Sequence, residues 1–259
     1  MCLILFAYRH HESFPLVLAA NRDEFYERPS AAAHFWEEAP DILAGKDLRG
    51  GGTWMGIRRD GRIAAITNYR APRLIRAGAP SRGDLVRMFL EGEENFPSFR
   101  ERVRKDAALY NGFNLLAVNG GEMACFSSFG DGWAPVRPGI HGLSNHLLDT
   151  PWPKVVRGKK ILGEILRDSA GPDPDALFGM LGDTARYDDS LLPDTGIGME
   201  WERILSATFI KSPVYGTRSA TVLILHRSGE AVFIERTFRD GPGVFDERRF
   251  TFAVERGKP

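Results

Sequence analysis

A cysteine stands at the second position of the chain. With Met1 removed, Cys2 would carry a thiol and an α-amine on one residue. An α-amine with an ordinary pKa of about 7.7–8.0 can take a proton near neutrality, so such a thiol becomes a nucleophile without a separate histidine. The other reading is a small cysteine packed at a sheet edge, and the residue type leaves both open. The run Asn21-Arg22-Asp23-Glu24 also has two readings. It is the solvated exit of a strand, or, if that strand folds back on the N-terminus, it brings Arg22 and Asp23 beside Cys2 as a buried pair. An arginine there stabilises a thiolate, and a carboxylate orients a free amine. Three further runs put polar groups at strand ends: Thr67-Asn68-Tyr69-Arg70, Gly142-Leu143-Ser144-Asn145 and Tyr215-Gly216-Thr217-Arg218. Side-chain amides such as Asn68 and Asn145 can donate to a developing oxyanion, and Arg218 can bind a carboxylate or support the nucleophile. Taken singly, each run also reads as a turn or a cap.

These residues need strands to hold them. Residues 2–8 and 15–20 are short apolar runs joined by a polar turn, the pattern of two strands buried on both faces. Asp60-Gly61, Asn119-Gly120-Gly121 and Ser228-Gly229 predict hairpins over 53–67, 112–128 and 220–237. Alternating Phe250, Phe252 and Val254 predict a last strand over 249–254. Helices fall between the hairpins: one over 83–91 capped by Ser81, one over 97–108, and two opened by Pro153 and Pro174. The first of the proline-opened helices turns Val155, Val156, Ile161, Leu162 and Ile165 inward. The Asp-, Gly- and Pro-rich stretch 183–206 reads as a loop. Hairpins at both ends with helices between them, and no linker, predict one α+β domain over residues 1–259.

Composition narrows the class further. Lys plus Arg equals Asp plus Glu at 34 each, which gives no global field for nucleic acid or an anionic membrane. The arginines Arg58, Arg59, Arg62, Arg70, Arg73 and Arg76 are dense but read as a solvated hairpin and loop. Two cysteines make no disulfide framework, and with no signal pattern or long apolar run they suit the cytoplasm. Gly50-Gly51-Gly52-Thr53 lacks the Lys-Ser/Thr ending of a phosphate loop and precedes a strand, so it reads as a turn of close backbone approach. The six histidines show no metal-ligand spacing. His141 and His146 bracket a polar run but have no defined role, and Cys125 reads as a core residue.

Together, Met1-Cys2, Asn21-Arg22-Asp23-Glu24, Gly52-Thr53-Trp54, Thr67-Asn68-Tyr69-Arg70, Tyr110-Asn111-Gly112-Phe113-Asn114-Leu115, Leu143-Ser144-Asn145 and Tyr215-Gly216-Thr217-Arg218 closely resemble the NRDE family, also called the transport and Golgi organisation family. The resemblance runs from Met1 to about residue 237. It implies a four-layer αββα sandwich of the N-terminal-nucleophile hydrolase type. Within that superfamily the pattern is similar to cysteine amidases that cleave bile-salt conjugates, penicillin V and N-acyl amides. The positions matching their machinery are Cys2, Arg22, Asp23, Asn68, Asn145 and Arg218. Here the aspartate directly follows the arginine, whereas the amidases space the two apart, which leaves the roles of Asp23 and Glu24 open. The implied activity is cleavage of a non-peptide C–N amide bond with no cofactor. The resemblance implies an alternative as well, a carrier of haem or another small hydrophobe, with haem held reversibly because no CxxCH motif is present.

Overall fold

The computed structural model describes residues 2–167, 171–239 and 241–255. Its strands and α-helices, in chain order, are β1 (Cys2–Tyr8), β2 (Leu16–Phe25), β3 (Ser30–Trp36), β4 (Ala39–Asp47), β5 (Met55–Arg58), β6 (Ile63–Asn68), α1 (Gly83–Glu91), α2 (Phe96–Asp106), β7 (Phe113–Asn119), β8 (Glu122–Ser127), β9 (Gly132–Pro135), β10 (Gly139–Leu143), α3 (Pro153–Ile165), α4 (Pro174–Leu181), α5 (Met199–Ser206), β11 (Tyr215–Leu225), β12 (Glu230–Phe238) and β13 (Phe245–Ala253). Contacts divide them into two compact units. Unit 1 comprises Met1–Glu27, Arg137–Ser144 and Leu148–Phe252, and unit 2 comprises Arg28–Val136, Asn145–Leu147 and Ala253–Pro259.

Unit 1 is built on a six-stranded sheet in the order β10-β1-β2-β11-β12-β13. Successive side chains on a strand point to opposite faces, and paired residues share a face. Leu3, Leu5 and Ala7 of β1 therefore lie with Val17 and Ala19 of β2 and with Ala220, Val222 and Ile224 of β11. That face is sealed by Val155 and Leu162 of α3 and by Leu177, Phe178 and Leu181 of α4. The opposite face carries Cys2 and Ser219, each paired with Arg22. Unit 2 is a seven-stranded antiparallel meander, β3 to β9 in order, with Leu85, Val86, Phe89 and Leu90 of α1 and Phe96, Phe99 and Val103 of α2 packed on one face.

The fold class is α+β, with two antiparallel sheets that each carry helices on one face. The hairpins at 60–61, 119–121 and 228–229 form as the turn residues require, with Gly61 at φ +90° and Gly229 at φ +94°. The close-approach reading of the glycine run also holds. A Cβ on Gly52 would lie 2.4 Å from the carbonyl carbon of Gly83, at the start of α1.

Several expectations are corrected. β2 continues to Phe25, because β11 pairs along its second edge from Leu16 to Phe25 and completes the ladder on that side. Asn21 to Glu24 are thus inside a strand rather than at its exit. Ser81 does not cap α1 through its side chain; Arg82 occupies the N-cap with no side-chain bond. Val156 is 54% exposed, on the solvent side of α3. The stretch 183–206 ends in α5, whose short apolar stripe is hidden behind a Gly- and Pro-rich approach. Strands β3, β4 and β9 lacked a strong turn signal and were not anticipated.

Candidate active site

Cys2 is the first residue of β1 and pairs directly with Arg22 across the β1–β2 ladder. Asn21, Arg22 and Asp23 are buried, at 1%, 5% and 1% exposed, so the solvated-exit reading fails on burial as well as on register. Charged groups so deep need partners or a chemical reason to be there. Arg22 shares a face with Cys2. Asp23, one residue on, points to the opposite face of the strand, and the charge of Arg22 acts on its carboxyl.

The third strand-end run turns out to be the mould for this stretch. Tyr215 Oη donates to Asp23 O at 2.8 Å, and Thr217 Oγ1 donates to Asp23 Oδ1 at 2.7 Å. Thr217 Oγ1 also accepts from Ile210 N at 2.9 Å, which fixes the hydroxyl's direction. A side chain on Gly216 would collide with Tyr26, its Cβ only 2.1 Å from Oη. A β-bulge sits between Thr217 and Ser219, so Arg218 is the extra residue of its strand. Its Nη1 donates to Phe25 O at 3.0 Å and Tyr26 O at 2.9 Å. Asn21 is equally committed: its Nδ2 donates to Leu181 O and Thr208 O, both at 2.9 Å.

Burial dominates the electrostatics. Cys2 is partly exposed as a residue, yet desolvation pushes its thiol above the ordinary cysteine range. The charge of Asp23 adds to the rise; the Asp23 main-chain N–H and the charge of Arg22 oppose it without prevailing. The charge of Arg22 acts in the expected sense, lowering the thiol's pKa, but in the chain that retains Met1 burial outweighs it. Burial also pushes the Asp23 carboxyl up, against Lys154, Thr217 and Arg22. Lys154, 2% exposed on α3 with Nζ donating to Leu205 O at 2.9 Å, is a participant that the sequence reading missed. Its signal was a lysine in the apolar first turn of a helix. Burial and the like charge of Arg22 pull the Arg218 guanidinium below the ordinary arginine range.

Unit 2 gathers the two remaining predicted residues. Asn145 Nδ2 donates to the main-chain oxygen of Asn68, the last residue of β6, at 3.0 Å. Arg70 N donates to Asn145 O at 2.8 Å, and Arg70 Nη2 lies 3.5 Å from Asn145 Oδ1. Next to them Asn114 Nδ2 donates to Thr67 Oγ1 at 3.1 Å and His146 O at 2.9 Å. Asn145 is thus a fixed amide, and Asn68 meets it through its backbone. Back in unit 1, Ser144 Oγ donates to Cys2 O at 3.3 Å. Among the described residues no group of His, Cys, Asp and Glu is arranged to hold a metal ion, and no helix is long and apolar enough to cross a membrane.

Two antiparallel sheets, each carrying helices on one face, are a fold that solved structures share. An N-acylethanolamine-hydrolyzing acid amidase ortholog from Caenorhabditis elegans superposes with a TM-score of 0.50 at 10% identity, over 86% of this chain and 92% of its own. The C2A mutant of conjugated bile acid hydrolase from Clostridium perfringens gives 0.53 at 8% identity, over 99% and 98%. Sequence comparison is more specific. The description of the Transport and Golgi organisation 2 family matches residues 1–240, and the chain belongs to that family. The Bos taurus Transport and Golgi organization protein 2 homolog is 40% identical over 257 residues, 92% of this chain and 93% of the relative. The Homo sapiens homolog is 37% identical over 278 residues, 98% and 100%.

Proposed function

We propose that this protein is a cysteine amidohydrolase that cleaves a non-peptide C–N bond of the N-acyl amide class. The observation that carries the reading is the placement of Cys2 at the start of a buried strand, directly opposite buried Arg22 and facing the Asp23 main-chain N–H. A sheet end that needed only to pack would not bury an arginine and an aspartate there. The two fold neighbours are, by name, hydrolases of N-acylethanolamines and of conjugated bile acids, which fits this substrate class.

Removal of Met1 would give Cys2 its own α-amine. That amine takes the thiol proton as sulfur attacks the carbonyl carbon, and the C–S bond forms while the carbonyl oxygen becomes an oxyanion. The resulting ammonium returns the proton to the leaving nitrogen as the C–N bond breaks and a thioester remains. Water, deprotonated by the same amine, then attacks the thioester to release the acid and restore the thiol. Arg22 sets the charge state of the thiol, Asp23 orients the amine and Arg218 holds the main chain that carries both; the family resemblance gives Asn68 and Asn145 the part of oxyanion donors.

Turnover of a panel of N-acyl amides tests the reading. Cys2→Ser should nearly abolish kcat with substrate affinity largely kept, because the thiol acts in the transition state. Saturable haem binding by a wild type that hydrolyses nothing in the panel would overturn it in favour of a haem carrier.

A further inference from the structure

The polar run bracketed by His141 and His146 has a second ionic centre that the hydrolytic chemistry leaves unused. Asp149 lies just beyond the loop that follows β10. Its Oδ2 is 2.6 Å from His141 Nδ1, and its Oδ1 accepts from Lys159 Nζ at 2.6 Å and Gly142 N at 3.0 Å. Asp149 N donates back to Gly142 O at 2.8 Å. The residue sits at φ +60°, a left-handed conformation that aspartate tolerates better than most non-glycine residues. Backbone and side chain together therefore fix where the loop closes. The other end of that loop is Ser144, whose hydroxyl holds the carbonyl of Cys2.

The imidazole of His141 has acceptors on both sides. Nδ1 faces the Asp149 carboxylate and Nε2 lies 2.9 Å from Arg137 O. Neither partner has a hydrogen to give, so only the doubly protonated ring satisfies both. The remaining neighbours are the Phe6 ring of β1, 5.3 Å between centroids, and the Lys159 ammonium of α3, which also binds Asp149.

We propose that His141, Asp149 and Lys159 form a proton-controlled latch that closes the loop after β10 and so positions Ser144 and the main chain of Cys2. This inference rests on the reading of Cys2 as the nucleophile and makes His141 a positioning residue, since it touches no reacting atom. Its direction with pH is set. The hydrogen bond that His141 donates to Asp149 raises its pKa, while burial and the charge of Lys159 oppose the rise. The stabilisation is complete below the ordinary histidine pKa of about 6.5 and is lost as pH rises through the raised value.

Long-range 15N NMR of the imidazole across pH, read beside the pH profile of kcat, is the test. The ring should remain doubly protonated above its ordinary pKa. Asp149→Asn should lower its titration point and Lys159→Met should raise it, with the high-pH decline of kcat moving the same way in each. His141→Gln should erase that inflection and lower kcat about tenfold with KM unchanged, the pattern of lost positioning. A neutral single tautomer in wild type below the ordinary pKa, or an inflection that stays put in Lys159→Met, overturns the latch. If wild type hydrolyses no amide, the proposed function fails separately. The latch is then read from the rate of Cys2 alkylation by iodoacetamide, which should change at the NMR titration point and shift in Lys159→Met; a rate without that shift overturns it.

Discussion

At the Cys2 end of the unit 1 sheet the buried side chains are ionisable: Arg22, Asp23 and Lys154 around a thiol. Around Asn145 in unit 2 they are chiefly amides and a hydroxyl, Asn114, Asn145 and Thr67, joined by Arg70. Both clusters are buried and both are held by networks of hydrogen bonds, so local structure does not distinguish them. Energetics does. A neutral amide that exchanges water for a protein partner costs little to bury and contributes about 1 kcal/mol per bond. A charge costs several kcal/mol to bury and is retained where it is paired or used. Under the proposed function the two clusters would do different work, proton and charge management in unit 1 and directional hydrogen bonding in unit 2.

The sharpest way to break this contrast is to remove a charge. Asp23→Ala leaves Arg22 and Lys154 without their carboxylate and should cost about 3–5 kcal/mol in a denaturant melt. A melt like that of wild type would place the cluster among ordinary exposed pairs, worth about 0–1 kcal/mol. The pH dependence sharpens the same point. Because the folded-state pKa of Asp23 is raised, the folded protein holds this proton more tightly than the unfolded chain does. Its contribution to stability therefore falls as pH climbs from the ordinary carboxylate range through the raised value. Asp23→Asn should flatten that segment of the stability–pH curve.

Smaller losses are expected where only hydrogen bonds go. Asn21→Ala removes the donor to Leu181 O and Thr208 O, and Asn114→Ala the donor to Thr67 Oγ1 and His146 O. Each should cost about 2 kcal/mol, with no pH dependence of its own. A cost for Asn114→Ala as large as that for Asp23→Ala would dissolve the distinction between the clusters.

The two cysteines give the smallest and most selective contrast. Cys125, on β8, the strand next to the edge of the unit 2 sheet, pairs with Leu116 and is 6% exposed. In the Met1-bearing chain both thiols should label slowly with iodoacetamide. Once Met1 is removed, Cys2 should label well ahead of Cys125. Equal rates in the processed chain would leave Cys2 without an activated thiol.

Much of this was legible in the sequence, for identifiable reasons. Hairpins announced by Asp60-Gly61 and Asn119-Gly120-Gly121 are local, since turn chemistry needs no knowledge of the rest of the chain. The β1–β2 hairpin placed Arg22 opposite Cys2 for the same reason. The length of β2 was hidden because its last residues are paired by β11, about 190 positions away in the chain. The same distance concealed the use of Tyr215 and Thr217 as the mould for Asp23. Lys154 reads locally as a solvated helix residue, and only the packing of α3 buries it. The pull of Arg22 on the thiol could be read from sequence, but the desolvation that outweighs it in the Met1-bearing chain could not.

The central claim is that Cys2, freed of Met1, is acylated by its substrate. Mass spectrometry of the N-terminal peptide, from protein quenched in acid during turnover of an N-acyl amide, reads this directly. The account predicts a peptide that begins at Cys2 and carries the acyl group as a thioester. An active protein whose N-terminal peptide still begins at Met1, with no acyl group on Cys2, would contradict it.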